Sequence, residues 1–461
     1  MTRTNDITID NRVLARQLVK IAVPIAIQGI VSATLNLIDN LMVGALGEVE
    51  LAAVGVGSQI FMIHYLFLFG MNSGSATFLA QFYGTRDMAN IRKVIGFAIT
   101  VSSLIAVVFF SVGFFATDPF LHIYSNDEQV IALAKDYLRI GLPCFFFLGV
   151  SVPLTTAFKA TQQTKVPMII SFVVFGTNTI LNYILIFGKF GAPAMGVSGA
   201  ALATTIARGM EILIVLTAAC QKNGFINLRE RKGLFRQFFG WKKEFIARIL
   251  KNSVPTTCNE VFWSIGVSMY VAAFSRIGVT AYASYQAAAS INNIFSFAAF
   301  SVGDAALILI GEKLGERKRD EAIILARKLL IVGVVVGVVF GLLVIASAYP
   351  LVSLFALTKL GKVYAFRILL VYGSLMWLNL FNGINITGVL RGGGDTRFAA
   401  AAELSCIWCV AVPMAFLSAL VWHLPVYLCV LALRSSDLVE ATILYLRVRS
   451  KKWARTVITG L

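Results

Sequence analysis

The stretch LAQFYGTRD, residues 79–87, ends a long apolar segment, and the chain repeats its pattern in LIGEKLGERK, residues 309–318. Gly84 of the first stretch and Gly315 of the second are 231 residues apart. A constant offset over such a distance indicates that one structural unit occurs twice in the chain. Further pairs at the same offset are Val23 and Val254, Pro24 and Pro255, and Gly47 and Gly278.

The composition indicates an integral membrane protein. Of the 461 residues, 58% are hydrophobic and 14% are charged, with a mean hydropathy of +0.80, whereas a soluble domain carries about 25% charged residues. Apolar runs of about 20 residues, the length that crosses a bilayer as a helix, recur along almost the whole chain. We predict twelve spans, at residues 15–44, 50–80, 93–117, 131–158, 166–188, 195–220, 245–275, 281–311, 322–347, 364–390, 398–420 and 423–447.

The repeat and the spans together predict an all-α polytopic membrane protein with twelve transmembrane helices in two six-helix bundles. Six spans return the chain to its starting side, so the two copies share one orientation and form parallel repeats. We expect an N-terminal lobe at 1–220, a cytoplasmic linker at 221–244, and a C-terminal lobe with a basic cytoplasmic tail at 245–461. Two bundles that rock around a cleft form an alternating-access transporter.

The basic residues predict the orientation of the chain. There are 40 Lys and Arg against 23 acids, a net charge of +17, and 31 of the 40 lie in the even-numbered connections and the termini. By the positive-inside rule these segments, including both termini, are cytoplasmic. Because basic loops beside a membrane meet anionic headgroups, we expect the lipid bilayer, and not nucleic acid, as the partner of this charge.

The sequence lacks common motifs of catalysis and of ATP use. It contains no HExxH or GxSxG, and the Gly-Lys pairs at Gly188 and Gly361 lack the following Ser or Thr of a P-loop. We therefore predict no enzyme, no cofactor beyond a coupling ion, and an energy source other than ATP.

A few ionisable side chains fall at membrane depth, where each costs roughly 2.5–3.5 kcal/mol on insertion scales. Arg208 and Glu211 are three residues apart on one helix and are predicted to pair, as are Arg434 and Asp437. We predict Arg208 as the only deep arginine of spans 1–11. The other deep acids are Asp39, Glu260, Asp304, Glu403 and Glu440, of which water or loop cations could satisfy Asp304 and Glu403.

Asp39 is the acid to which we assign cation or proton coupling. It has no cation within one helical turn, while Asn178 and Asn182 of span 5 lie four apart on one helix face, and Thr204 of span 6 adds a hydroxyl at similar depth. Hard cations take oxygen ligands, so Asp39, Asn178 and Thr204 could also hold Na⁺. The alternative is an interhelical hydrogen-bond network that only holds the bundle together.

Other polar residues belong to weaker predicted sites. Asn36 and Asn40 flank Asp39 and are predicted to line a substrate cleft. In the second lobe we predict a polar site from Glu260 of span 7 with Asn379 and Asn382 of span 10. The two lobes thus share a fold and differ in polar chemistry.

In their order these features resemble the multidrug and toxic compound extrusion family of antiporters, over nearly the whole chain. The likeness is carried by LNLIDNLMVGALGEVELAAVG (35–55), GVSGAALATTIAR (196–208), GVLRGGGDTRF (388–398) and RVRSKKW (447–453). It implies export of amphipathic, often cationic compounds, driven by inward flow of protons or sodium. It further implies a location in the cytoplasmic membrane of a bacterium or archaeon, and we expect a monomer.

The resemblance also implies which residues act, and it shows two departures. It matches the family's functional positions at Asp39, Asn178, Thr204 and Glu260. Where some members carry a second acid, this chain has Asn182 in span 5 and Asn379 in span 10. Both coupling ions therefore stay open, and we favour protons because Asp39 is the only acid that we place deep in the first lobe.

Two other functions are weighed against this one. A flippase for lipid-linked precursors shares the two-bundle design, but it would need unpaired deep arginines to grip pyrophosphate. An intramembrane enzyme could use Asp39 and Glu260 as acid and base, but these residues lie in different halves of the chain. The sequence leaves the transported compound open.

Overall fold

The computed structural model describes residues 10–221, 238–355 and 357–460, so most of the predicted linker 221–244 lies outside the described residues. Within these ranges the chain is helical and forms no strand. The helices are α1 (Asn11–Gly44), α2 (Glu48–Gly84), α3 (Met88–Phe115), α4 (Thr117–Leu121), α5 (Glu128–Gly141), α6 (Pro143–Ala160), α7 (Lys165–Phe187), α8 (Gly196–Ala219), α9 (Lys243–Ser275), α10 (Val279–Gly315), α11 (Arg319–Ser353), α12 (Lys359–Gly383), α13 (Thr396–Cys406), α14 (Val412–Phe416), α15 (Val426–Leu433) and α16 (Ser435–Arg449).

The predicted all-α membrane fold is confirmed. Ten helical segments among the described residues are long and apolar enough to cross a membrane, and the other two predicted spans are helical as well. Span 4 consists of two helices, α5 and α6, because Pro143 has no N–H to continue the hydrogen-bond ladder. Span 12 is likewise divided, into α15 and α16, at Arg434.

Three wide turns of π-helix interrupt the second half of the described chain. One extends α12 through Ile384–Arg391, and the others, Ile407–Ala411 and Leu417–Val421, lie on either side of α14. A π turn adds a residue to the helical turn and rotates the side chains that follow it, and such turns are frequent at functional sites. The first of them carries Arg391 into the protein interior, where the arginine is 4% exposed.

Helix boundaries recur at the same interval as the sequence repeat, 231 residues. α2 and α10 both contain 37 residues and begin 231 residues apart. Pro24 and Pro255 lie inside α1 and α9 respectively. The offset read from single glycines therefore holds for whole helices.

The chain divides into two compact units. The unit that we call the N unit contains Ile27–Leu79 and Asp87–Ile249, and the C unit contains Leu250–Leu461 together with Met1–Ala26 and Ala80–Arg86. The division into lobes at 1–220 and 245–461 follows the repeat and stays a prediction.

A close helix crossing holds the repeated glycines of the C unit. A Cβ at Gly84 would collide with the carbonyl oxygen of Glu312, and a Cβ at Gly315 would collide with that of Gln81. Each glycine thus lets the other helix approach to backbone contact, which explains why both stretches of the opening motif have glycine at this point.

Candidate ion-coupling site

The residues assigned to coupling in the first lobe form one hydrogen-bonded chain in the N unit. Asn182 donates from Nδ2 to Asp39 Oδ1 at 2.6 Å and to Asn178 Oδ1 at 2.9 Å. Asn178 donates in turn to Thr204 Oγ1 at 3.2 Å. The structure therefore brings together all four side chains, from α1, α7 and α8.

Helix geometry explains this arrangement. Asn178 and Asn182 are one turn apart on α7, so both side chains face the same way, and both are 1% exposed. Asp39 reaches Asn182 from α1, while Thr204 reaches Asn178 from α8. Asp39 itself is partly exposed, so its carboxylate has one buried partner and one side that stays accessible.

One oxygen of this hydrogen-bonded chain, Oδ1 of Asn182, has no donor among the described residues. Both hydrogen bonds of Asn182 use its Nδ2, and its Oδ1 is buried without a donor. A buried acceptor without a donor costs about 1–3 kcal/mol. A protonated carboxyl supplies an O–H, and a sodium ion accepts amide oxygens as ligands, so either cation at Asp39 could satisfy this atom.

The predicted ion pair of α8 is confirmed. Arg208 Nη1 lies 2.6 Å from Glu211 Oε2. Asp39 has no cation within one helical turn of α1, but Arg208 of α8 is near enough to interact electrostatically with it. Because Glu211 already binds the guanidinium, Arg208 compensates Asp39 only in part.

A small polar cavity of about 100 Å³ lies beside this pair. Asn36 lines it together with Gln28, Ser32, Arg208 and Glu211. Asn40 is exposed and does not line this cavity. The role of Asn36 and Asn40 in binding substrate stays a prediction.

The polar site predicted in the second lobe, Glu260 with Asn379 and Asn382, stays a prediction, and the structure gives its members different direct partners. Glu260 pairs with Arg391, whose Nη2 lies 2.8 Å from Glu260 Oε1. Asn382 instead donates to Glu440 Oε2 at 3.1 Å and to the Asp437 carbonyl at 2.9 Å. Asn379 is partly exposed. Asn382 of α12 thus bonds to α16, while Glu260 of α9 bonds to the π turn that follows α12.

Arg391, one residue beyond predicted span 10, is a buried arginine that the sequence analysis did not identify. The sequence places Arg391 at the end of span 10, next to three glycines, as in a cytoplasmic loop. In the structure the helix continues through Arg391 as a π turn, and the guanidinium is buried. The motif GVLRGGGDTRF gave the signal, since it contains an arginine directly after an apolar helix.

Sequence reasoning also missed Asn259 and underrated Glu403 and Glu440. Asn259 Nδ2 lies 2.7 Å from Glu403 Oε2, and Glu403 in turn lies 3.9 Å from Arg391. Asn259 precedes Glu260 directly in the sequence, which was the available signal. The ion pair between Arg434 and Asp437, at 3.1 Å, is confirmed.

Comparison with known proteins adds independent findings. The family model MatE matches residues 24–184 and 253–448. The probable multidrug resistance protein YoeA of Bacillus subtilis is 26% identical over 401 residues, which cover 86% of this chain and 84% of that protein. The probable multidrug resistance protein NorM of Thermotoga maritima is 22% identical over 447 residues, 96% of this chain and 94% of that protein.

Solved structures share the fold. A structure described as the outward-facing conformation of a multidrug resistance MATE family transporter superposes with a TM-score of 0.85 at 18% identity, covering 95% of this chain and 97% of that one. At this identity the likeness concerns the fold alone.

Proposed function

The chain belongs to the MatE family of membrane transporters, and from this premise we propose that it exports amphipathic, often cationic compounds in exchange for protons. The single observation that carries the proposal is the bonded chain Asp39, Asn182, Asn178 and Thr204. It combines one accessible carboxylate with a buried amide oxygen that needs a donor. Because this amide oxygen lacks only a hydrogen-bond donor, which a protonated carboxyl supplies, the site is suited to reversible proton binding.

The proposed mechanism is exchange at Asp39. Protonation converts the carboxylate from an acceptor into a group that can also donate. The O–H can then face Asn182 Oδ1, and the amide reorients within the chain that links α1, α7 and α8. The same helices thus have two packings, and the proton shifts the equilibrium between them. A ligand shifts such an equilibrium by the difference in its affinity for the two states. Release of the proton inside and binding of substrate complete the exchange.

Sodium is the second candidate ion. Asp39, Asn178 and Thr204 offer oxygen ligands, and Asn182 Oδ1 is a fourth. Against sodium, Asn182 directs an N–H at the Asp39 oxygen that a metal would use. We therefore favour the proton.

The other proposed functions fit the contacts less well. A flippase would need arginines able to bind pyrophosphate, yet the partly exposed Arg208 and the buried Arg391 both pair with glutamates. An intramembrane enzyme with Asp39 and Glu260 as acid and base would need Glu260 unpaired, and Arg391 binds it. We further propose that the protein works as a monomer in the cytoplasmic membrane with both termini inside.

The proposal is tested with purified protein in liposomes loaded with a panel of cationic, neutral and anionic dyes. An inward proton gradient in sodium-free buffer should drive export of the cationic dyes. Transport that requires sodium and ignores the proton gradient would contradict the choice of ion, while the absence of transport for every dye would contradict the substrate class.

A further inference from the structure

Among the described residues of the C unit, four acids that are buried or partly buried, Glu260, Glu403, Asp437 and Glu440, lie near two arginines, Arg391 and Arg434. The arginines form two short ion pairs, Arg391 with Glu260 at 2.8 Å and Arg434 with Asp437 at 3.1 Å. Each pair neutralises itself. Two further carboxylates, Glu403 of α13 and Glu440 of α16, stand beside these pairs.

Glu403 receives little compensation from its neighbours. Its closest partner is the neutral amide of Asn259, at 2.7 Å. The guanidinium of Arg391 lies 3.9 Å away, beyond hydrogen-bond distance, and is bound to Glu260. The Glu403 side chain is 20% exposed, so it is largely removed from water but still reachable.

Glu440 is in a similar position. It accepts a hydrogen bond from Asn382 Nδ2 at 3.1 Å, and it interacts electrostatically with two other acids, Glu403 and Asp437. Arg434, the nearest guanidinium to act on it, forms its ion pair with Asp437. Both carboxylates thus face each other's charge and a neutral amide.

The charges in this region therefore do not balance. Four carboxylates, Glu260, Glu403, Asp437 and Glu440, stand against the two guanidiniums. A charge without a counter-ion is costly at membrane depth, and the repulsion between two like charges removed from water adds to that cost. Among the described residues, other titratable groups that act on these side chains are Asp304, Tyr270, Tyr372, Cys406 and Cys409, and none of these five carries a positive charge.

A second, independent observation identifies what is missing. The amides that contact the two glutamates each have an oxygen without a donor: Asn259 Oδ1 and Asn382 Oδ1 are buried and unpartnered among the described residues. The two residues are 1% and 4% exposed. A protonated carboxyl provides one O–H donor. Two protons would therefore supply both missing charges and both missing donors.

We propose that Glu403 and Glu440 form a second proton-binding site, separate from Asp39. Each glutamate takes up a proton, and the resulting O–H donates a hydrogen bond to the amide oxygen of its facing asparagine. A proton fits better than a metal ion because Asn259 and Asn382 direct N–H groups at the carboxylate oxygens that a metal would need. Proton binding at this second site does not depend on the proposed function.

The test is infrared difference spectroscopy on the full-length protein in lipid, which separates the C=O stretch of protonated carboxyls from the stretches of carboxylates. The Asp39→Asn background removes the contribution of Asp39, the carboxylate of the proposed coupling site in the N unit. In that background, Glu403→Gln and Glu440→Gln should each remove about half of the protonated C=O band. Glu321→Gln, which changes an acid bound to Lys313 at 3.2 Å on the surface, should leave the band unchanged.

Other outcomes decide against the proposal. If both variants are folded and keep the full band, Glu403 and Glu440 are ionised and the inference is wrong. If a Gln variant does not fold, Asn259→Leu keeps the carboxyl and removes its amide partner, so the band should shift in frequency; an unchanged frequency contradicts the contact. If transport requires sodium and the protonated C=O band is still present, the proposed coupling ion is wrong and the second proton-binding site is supported.

Discussion

The substitution Asp39→Asn separates the charge of the coupling site from its shape. Asn182 donates to Asp39 over 2.6 Å, and an amide at position 39 still offers an oxygen at that place. A hydrogen bond to a charged group contributes about 1.5–3 kcal/mol and a neutral one about 0.5–1.5 kcal/mol. We therefore expect a loss of about 1 kcal/mol in stability, which leaves the protein folded and inserted.

The effect on transport should be far larger. The hydrogen-bonded chain of the N unit contains one carboxylate, which corresponds to one proton for each transport cycle. Each pH unit of gradient supplies about 1.4 kcal/mol per proton, enough for a tenfold substrate gradient. Exchange of one proton for a monovalent dye is electroneutral, so the membrane potential does not add to it. Wild type should reach about a tenfold gradient, and Asp39→Asn should stay near equal concentrations.

The assay uses liposomes with a gradient of one pH unit, the membrane potential clamped with potassium and valinomycin, and a monovalent cationic dye. Glu48→Gln, which changes an exposed acid in the first turn of α2, serves as the matched control and should transport as wild type does. Asp39→Asn protein that is folded and still builds a tenfold gradient would refute the assignment of Asp39. A gradient of a hundredfold or more in wild type would show that further protons take part.

Other predictions follow from the same contacts. Asn182→Leu removes the donor of Asp39 and of Asn178, so we expect about 1–3 kcal/mol of destabilisation, seen as a lower melting temperature, together with lost efflux; unchanged efflux would mean that the chain is only structural. Gly84→Ala should destabilise the C unit by about 1–3 kcal/mol or more through overpacking, whereas Gly176→Ala, at a site open to 4 Å, should leave the melting temperature unchanged. On a cysteine-free background, a cysteine at Asn126 should react in whole cells with a membrane-impermeant thiol reagent and one at Lys242 should not; the reverse pattern would overturn the orientation.

Much of the site in the N unit could be predicted because its signals are local or specific to the residue type. Asn178 and Asn182 share a helix face by their spacing alone, and an acid amid apolar residues requires a polar partner. Their joining to Asp39, 143 residues away from Asn182, needed only that three helices of one unit meet at similar depth. The sequence also yielded the ion pairs at three-residue spacing, since both partners lie on one helix.

The polar contacts of the C unit could not be predicted in this way, because they depend on how each helix is rotated about its axis. Asn379, Asn382 and Glu260 were grouped by chemistry, but the rotation of α12 directs Asn382 to Glu440, and the π turn carries Arg391 to Glu260 over 131 residues of chain. A shift of one residue at a helix end decides whether an arginine lies in a loop or in the interior. Nothing in the local sequence fixes that shift.

By itself, the sequence determined the class of protein, the number of spans and the twofold repeat. The length of each apolar run can be read from neighbouring residues. A membrane strictly requires such runs to be helical, because their backbone groups have no water to bond. Only the tertiary structure decided which carboxylates are neutralised. That outcome depends on distances between helices far apart in the chain, and it leaves Glu403 and Glu440 with amide partners while Glu260 has an arginine.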